Sequence, residues 1–161
     1  METLIKKIQE LIFEDQKNIK LFRGCKISQE EMARKSQKIS KKFLEILNVY
    51  GFPYKNAVPE DIYKAGIALS LHLDLEDMQY VFDKFIENFQ AEKIDPIHKA
   101  FFIDKMRVVS GKPQLYGTQY KIGKDKKIEM LPIENHEELE DRRKKAGLPP
   151  LSEYLDSIKI S

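Results

Sequence analysis

A single cysteine, Cys25, among 161 residues excludes an internal disulfide framework and any thiolate-clustered zinc site. Glycine and proline are sparse, at seven each, and no low-complexity linker or internal repeat interrupts the chain. Net charge is also nearly missing, because 28 Lys and Arg stand against 26 Asp and Glu, a formal +2. That balance gives no global field for coating duplex nucleic acid or anionic lipid, so nucleic acid is not an expected partner. Long apolar runs are absent too. The longest uncharged stretches, 46–54 and 65–73, fall far short of the ~20 apolar residues of a membrane-spanning helix, and no membrane association is expected. The opening Met1-Glu2-Thr3-Leu4-Ile5-Lys6-Lys7 lacks the apolar region of a secretion signal, which makes a reducing cytoplasm the expected compartment. No phosphate loop, dinucleotide glycine pattern or serine nucleophile elbow occurs, and no cofactor is expected.

The chain does have 42% hydrophobic residues, nine Phe and seven Tyr beside 34% charged residues, the composition of a folded, well-solvated body of one domain, 1–161. Periodicity predicts a mainly α bundle of six or seven helices with one appended β-hairpin. Leu4, Ile8, Leu11, Ile12, Ile19 and Phe22 share one side of a helix over 2–23. Ser28 and Glu31 form a capping-box pattern for a second helix over 28–49, which Gly51 and Pro53 end. A third, over 60–73, is apolar nearly all round and therefore central. Asp74 is the expected N-cap of a fourth, over 75–92, with an aromatic stripe of Met78, Val81, Phe82, Phe85 and Phe89. Asp95-Pro96 opens a fifth, over 96–110, carrying Ile97, Phe101 and Val108. A hairpin over 114–133 follows, its turn holding lysines 124, 126 and 127, with Pro132 limiting the second arm. Asn135 and Glu138 are read as caps of a helix over 136–146, Gly147 as its left-handed stop, and 151–158 as a last short helix.

Polar residues on dry faces carry the functional reading. Asp15 projects into the apolar stripe of the first helix and Asp104 repeats this on the fifth, where a lone buried ion costs several kcal/mol unless it is bonded, paired or protonated. His72 shares a face with Ala65 and Ala68, which leave room for an imidazole to meet one of those acids, and a His–Asp pair is the usual core of general-base chemistry. The competing reading makes His72 a satisfied core histidine and the acids anchors for Arg23, Arg107 or Arg142. As an extended strand, 114–120 sets Gln114, Tyr116, Thr118 and Tyr120 on one face, with Gly117 allowing close backbone approach. That suits recognition of a polar small molecule, or else a hairpin packed by its tyrosines with Gly117 at a bulge. No metal site is expected, since Asp15, His72 and Asp104 lack ligand spacing and His98 and His136 fit no metal motif.

Several blocks stand together: Asp15-Gln16, Tyr-Gly-Phe-Pro at 50–53, Leu71-His72, Asp104, Gly-Lys-Pro-Gln-Leu-Tyr-Gly-Thr-Gln at 111–119, and Arg142-Arg143 with 147–151. With them, over nearly its whole length, the chain resembles a bacterial family of unknown function, number 6624. It departs from the family pattern at Lys105, where an Arg and its planar donor fork are usual, at Leu71 in place of Gln, and at Pro59 in place of Gly. The resemblance implies no reaction, but it groups Asp15, His72, Asp104, Gln114, Tyr116, Thr118, Gln119 and Arg142 as one polar set.

Two functional classes are consistent with these residues. In the first, a pocket between helices and hairpin binds or acts on a polar or anionic small molecule. His72 is base or anchor, Asp15 or Asp104 orients it, Gln114, Tyr116, Thr118 and Gln119 hold the ligand, and Arg142 meets an anionic group. In the second, an adaptor or toxin-neutralising module binds a protein through the charged helix 28–49, with the inward polar groups serving only to specify the fold.

Overall fold

Leu4, Ile8, Leu11, Asp15 and Asn18 are the buried residues of the first helix, α1 (Glu2–Arg23), and recur at alternating steps of four and three. That spacing is the seam of two packed helices. The partner is α2 (Gln29–Tyr50), which returns along α1 with Ile39, Phe43 and Ile46 turned inward, and Glu14 and Lys42 pair across the edge at 2.7 Å. Because α2 contributes no buried residue before Ile39, the seam ends early, and Phe22, expected inside, is 41% exposed. Ser28 caps α2 as predicted, its Oγ accepting the Glu31 N–H at 3.1 Å, while the Glu31 carboxylate pairs with Lys35.

The computed structural model describes residues 1–89, 93–123 and 127–158. The expected extension of the fourth helix to 92, the Phe89 side chain and the turn lysines 124 and 126 lie outside the described residues. Among those described, the remaining elements are α3 (Glu60–Ser70), α4 (Leu75–Phe89), α5 (Pro96–Val109), strands β1 (Tyr120–Ile122) and β2 (Ile128–Met130), a 3-10 turn (His136–Glu138), α6 (Leu139–Lys145) and α7 (Leu151–Ile158). This is the mainly α architecture with one hairpin that the periodicity predicts. No helix among the described residues is long and apolar enough to cross a membrane.

Four elements depart from expectation, each for a local reason. The third helix stops at Ser70 rather than 73: the Ser70 hydroxyl donates to the Gly66 carbonyl at 2.7 Å, and the next amides, of His72 and Leu73, tighten onto Leu69 and Ser70. This short turn lets Asp74 cap α4, its Oδ1 accepting the Asp77 N–H at 3.0 Å. On α5 the buried residues are Ala100, Phe102 and Asp104 rather than Ile97, Phe101 and Val108, because the helix is covered on two sides. Phe102 stacks edge-on with Phe85 of α4 at 4.9 Å, while Phe101 meets Tyr154 of α7 at 6.2 Å. The hairpin is short, pairing Tyr120 with Met130 and Ile122 with Ile128. The sixth helix begins with the 3-10 turn because Asn135 is left-handed, with φ 48°, and gives no side-chain cap.

Close approach fixes the centre of the bundle. A Cβ on Gly66 of α3 would lie 2.5 Å from Cγ of Pro53, so the turn that ends α2 rests directly on the α3 backbone. In an exposed helix Gly→Ala gains about 1 kcal/mol. Here overpacking against the buried Pro53 costs about 1–3 kcal/mol, so Gly66→Ala should destabilise the protein. Urea unfolding should show a lower midpoint, and a raised midpoint would contradict the contact.

Candidate functional site

Asp104 is fully buried on α5, and its carboxylate is saturated with donors. Oδ1 accepts the backbone N–H groups of Leu115 at 2.7 Å and Tyr116 at 3.0 Å, and Oδ2 accepts the N–H of Thr118 at 3.0 Å and its hydroxyl at 2.9 Å. A carboxylate removed from water requires such partners, and these come from three residues of one loop. The segment 114–119 therefore folds into a compact loop, not the extended strand that its alternation predicts. Gln114, also fully buried, ties the loop to the hairpin, its Nε2 donating to the carbonyls of Gln119 and Leu131 at 2.9 and 2.8 Å while Oε1 accepts the Gln119 N–H at 2.8 Å.

The outward carbonyls of this loop meet cations. Arg142 Nε donates to the Leu115 carbonyl at 2.8 Å, and its Nη2 donates to the carbonyls of Glu134 and Asn135. Arg143, the next residue, is fully buried and absent from the predicted site set. Its Nη1 donates to the carbonyls of Tyr116 and Gly117, its Nε to that of Pro149 at 2.9 Å, and its guanidinium lies 5.3 Å from the Tyr154 ring centroid. Burial lowers the Arg143 pKa. The Tyr154 hydroxyl donates to the Thr118 carbonyl at 2.9 Å, and burial, with lesser help from Tyr120, pushes that phenol up to about 12. Gly117, at φ 65°, leaves room for this packing; a Cβ there would sit 3.2 Å from Ile133 and 3.7 Å from Arg143 Nη1.

On one flank the loop bounds a cavity of about 270 Å3 between α5 and α6. Lys99, Arg142 and Lys145 supply its charged groups and Tyr116 its aromatic wall, over Pro96, Ala100 and Ala146. Among the described residues no carboxylate lines it. Of the predicted ligand-holding residues, Tyr116 and Arg142 reach this cavity; Gln114 and Thr118 are buried in the loop itself, and half-buried Gln119 donates to the Thr118 hydroxyl at 3.1 Å.

His72 is elsewhere. Because α3 ends at Ser70, the imidazole is exposed rather than on a dry face, and with Ser36, Gln37 and Ser40 of α2 it lines an open cleft of about 530 Å3. Asp15 is buried near it: desolvation raises the Asp15 pKa and the charge of His72 partly offsets the rise. One turn on, the buried Asn18 has an Nδ2 with no partner among the described residues. Of the two acids expected as orienters of His72, Asp104 does not serve, since its oxygens are bound to the 115–118 loop. Neither acid anchors an arginine; Arg107 pairs with Glu134 and donates to the Pro113 carbonyl. His98, unassigned from sequence, bonds through Nδ1 to the Tyr63 hydroxyl at 2.7 Å, which also accepts the Asp95 N–H at 2.8 Å, and burial lowers the His98 pKa. Among the described residues no three metal-binding side chains cluster.

The two buried acids should respond oppositely to neutralisation. Asp104→Asn turns an amide NH2 toward backbone donors and should cost about 3 kcal/mol, since each orphaned buried group costs about 1–3 kcal/mol. Asp15 has a native pKa above its unfolded value, so the native state holds the extra proton between those two values. Stability therefore falls as pH rises through that window, above which the folded protein carries the buried charge. Asp15→Asn should raise the neutral-pH melting temperature and flatten this slope; calorimetry from pH 4 to 8 reads both.

No curated protein and no solved structure matches the chain. Residues 28–160 match a family by sequence, a span that takes in His72, the Asp104-bound loop and both arginines of α6 but begins after Asp15. By that match the chain belongs to the family of unknown function DUF6624.

Proposed function

We propose that the protein binds a small organic anion, a phosphate or carboxylate, in the cavity between α5, the 115–118 loop and α6. The observation that supports this is the lining: among the described residues, the charged groups bordering about 270 Å3 are Lys99, Arg142 and Lys145, and none is acidic. Arg142 also pairs with Glu138 at 3.4 Å, outside the lining, and an anion in the cavity would gain charge-assisted hydrogen bonds from these basic side chains. Arg142 is already oriented by carbonyl acceptors, so little side-chain entropy remains to be lost when the ligand arrives. Lys145 lies three residues further along α6, on the same face. Tyr116 adds a phenol donor and an apolar wall beside Pro96, Ala100 and Ala146, which suits a ligand with a compact hydrocarbon portion. In this reading Asp104 positions Tyr116 by fixing the loop and does not touch the ligand. His72 lines a different cleft, with Asp15 buried near it, and neither takes part.

Titration of the full chain with inorganic phosphate, followed by backbone amide NMR, should give saturable shifts at Tyr116, Lys145 and Ala146. A charge-assisted hydrogen bond contributes about 1.5–3 kcal/mol, so Lys145→Ala should weaken binding roughly 10- to 100-fold with an unchanged melting temperature. Shifts that grow linearly with salt, or that ignore Lys145→Ala, would count against the assignment.

A further inference from the structure

The opening helix buries two polar groups that the chain itself does not satisfy. Asp15 and Asn18 lie one turn apart on α1, at 6% and 5% exposure. Among the described residues no hydrogen bond reaches Asp15, the charge acting on it is that of His72, and the Asn18 Nδ2 has no partner. Buried polar groups are nearly always bonded, so an orphaned pair marks a place where a molecule from outside the chain supplies the partner. The Glu14–Lys42 pair fixes the register in which α2 returns along α1. Asn18, four residues on from Glu14, therefore stands level with the residue four before Lys42, in the stretch that holds Ser36 and Ser40. Those two serines, with Gln37 and His72, line the open cleft of about 530 Å3. The orphaned pair thus sits behind the wall of this cleft.

The lining decides the chemistry of an occupant. Ser36, Gln37, Ser40 and His72 offer hydroxyl, amide and imidazole groups, each able to donate and to accept. Among the described residues the charged groups in the wall are one of each sign, Arg34 and Asp74, and Asp74 Oδ1 already accepts the Asp77 N–H at 3.0 Å. Neither sign of ligand charge is favoured by such a wall. The helix that starts here, α4, runs 15 residues and carries its far end about 20 Å away, so its last turn does not enter this balance. A hydroxyl fits the orphaned pair: its oxygen accepts from the Asn18 amide while its proton goes to the Asp15 carboxylate. A carboxylate ligand would be repelled by Asp15, and an ammonium has no acceptor for Asn18. Further hydroxyls on the same carbon skeleton can meet His72 and the serines. This cleft shares no residue with the cavity between α5 and α6.

We infer that the cleft beside His72 is a site for a small neutral polyol, one hydroxyl bridging Asn18 and Asp15 and the others held by Ser36, Gln37, Ser40 and His72. The probes are glycerol, D-ribose and D-glucose, titrated separately into the full chain and followed by amide NMR, with glycerate and ethanolamine as anionic and cationic counterparts. At least one polyol should bind saturably, with shifts at Ser36, Gln37, Ser40 and His72, and tighter than either counterpart. Asn18→Leu removes the orphaned donor, so it should raise the melting temperature while weakening the polyol roughly five-fold, the loss expected for one hydrogen bond. His72→Ala and Gln37→Ala, at exposed residues, should weaken it with little change in melting temperature, and Lys145→Ala should change nothing. Absence of saturable binding by all three polyols, or equal affinity for a charged counterpart, would overturn the site. So would an Asn18→Leu variant that gains stability and keeps its polyol affinity, since a buried water alone would then fill the place. If Asn18→Leu does not fold, indifference to both His72→Ala and Gln37→Ala overturns it. Loss of binding in Lys145→Ala would move the polyol to the α5–α6 cavity and overturn this inference without touching phosphate binding there.

Discussion

A carboxylate with no access to water has to be surrounded by donors, and at Asp104 the donors are peptide N–H groups rather than a basic side chain. Peptide units are dipoles. When the N–H groups of residues 115, 116 and 118 point at the acid, the carbonyls of 115–118 are left to find cationic or hydroxyl partners on the other side. Arg142 takes the carbonyl of Leu115, Arg143 those of Tyr116 and Gly117, and the Tyr154 hydroxyl that of Thr118. The acid of α5 and the arginines of α6 thus attract each other through an intervening layer of oriented peptides, without a direct ion pair. That layer joins the helical body to α6 and α7, and deleting either charge would leave several polar groups unsatisfied at once.

Asp15 has the same sequence signature, an acid in an apolar stripe, and the opposite energetic standing. α2 brings Ile39, Phe43 and Ile46 to the same seam, among the described residues no hydrogen bond reaches Asp15, and the charge of His72 only partly offsets its desolvation. One buried acid has a loop shaped around it; the other is desolvated with its pKa raised, and once ionised it would weaken the fold it sits in. Asn18, one turn away with an unpartnered amide, adds a second polar group to the same stripe. Helical periodicity reports that a residue is inward but says nothing of what meets it.

That distinction marks what was legible in the sequence. Features set by a few neighbouring residues were readable: the caps at Ser28 and Asp74, the left-handed stop at Gly147, the aromatic face of α4 and the Asp95-Pro96 start of α5. The alternation at 114–120 was legible as a pattern but ambiguous in meaning, because the small, hydroxyl and amide side chains that suit a strand face also suit a loop gathered around an acid. Only the position of Asp104 decides between them, and that is tertiary. Arg143 was hidden by its company. In the run Arg-Arg-Lys-Lys nothing local separates the one buried guanidinium from its solvated neighbours, although a helix of seven residues flanked by the loop and α7 has to turn one of them inward. His72 was misjudged because a single serine hydroxyl, bonding back to Gly66, ends α3 before the imidazole.

The two candidate sites differ because the constraints that shape them differ. Between α5 and α6 the positive charges cannot disperse: Arg142 is held by the same carbonyls that Asp104 orients, and Lys145 shares its helix face. Asp104 shapes that space by placing the carbonyl that holds Arg142, its own negative charge being satisfied by amides and a hydroxyl, while Glu138 pairs with Arg142 from outside the lining. Beside His72 the constraint is a chain stop. The Ser70 hydroxyl, bonding back to Gly66, ends α3 and leaves the imidazole in the cleft that Ser36 and Ser40 line. One space is defined by where charge is pinned, the other by where a helix ends, so changes that disturb the staple around Asp104 act first on the cationic cavity and changes at Ser70 first on the His72 cleft.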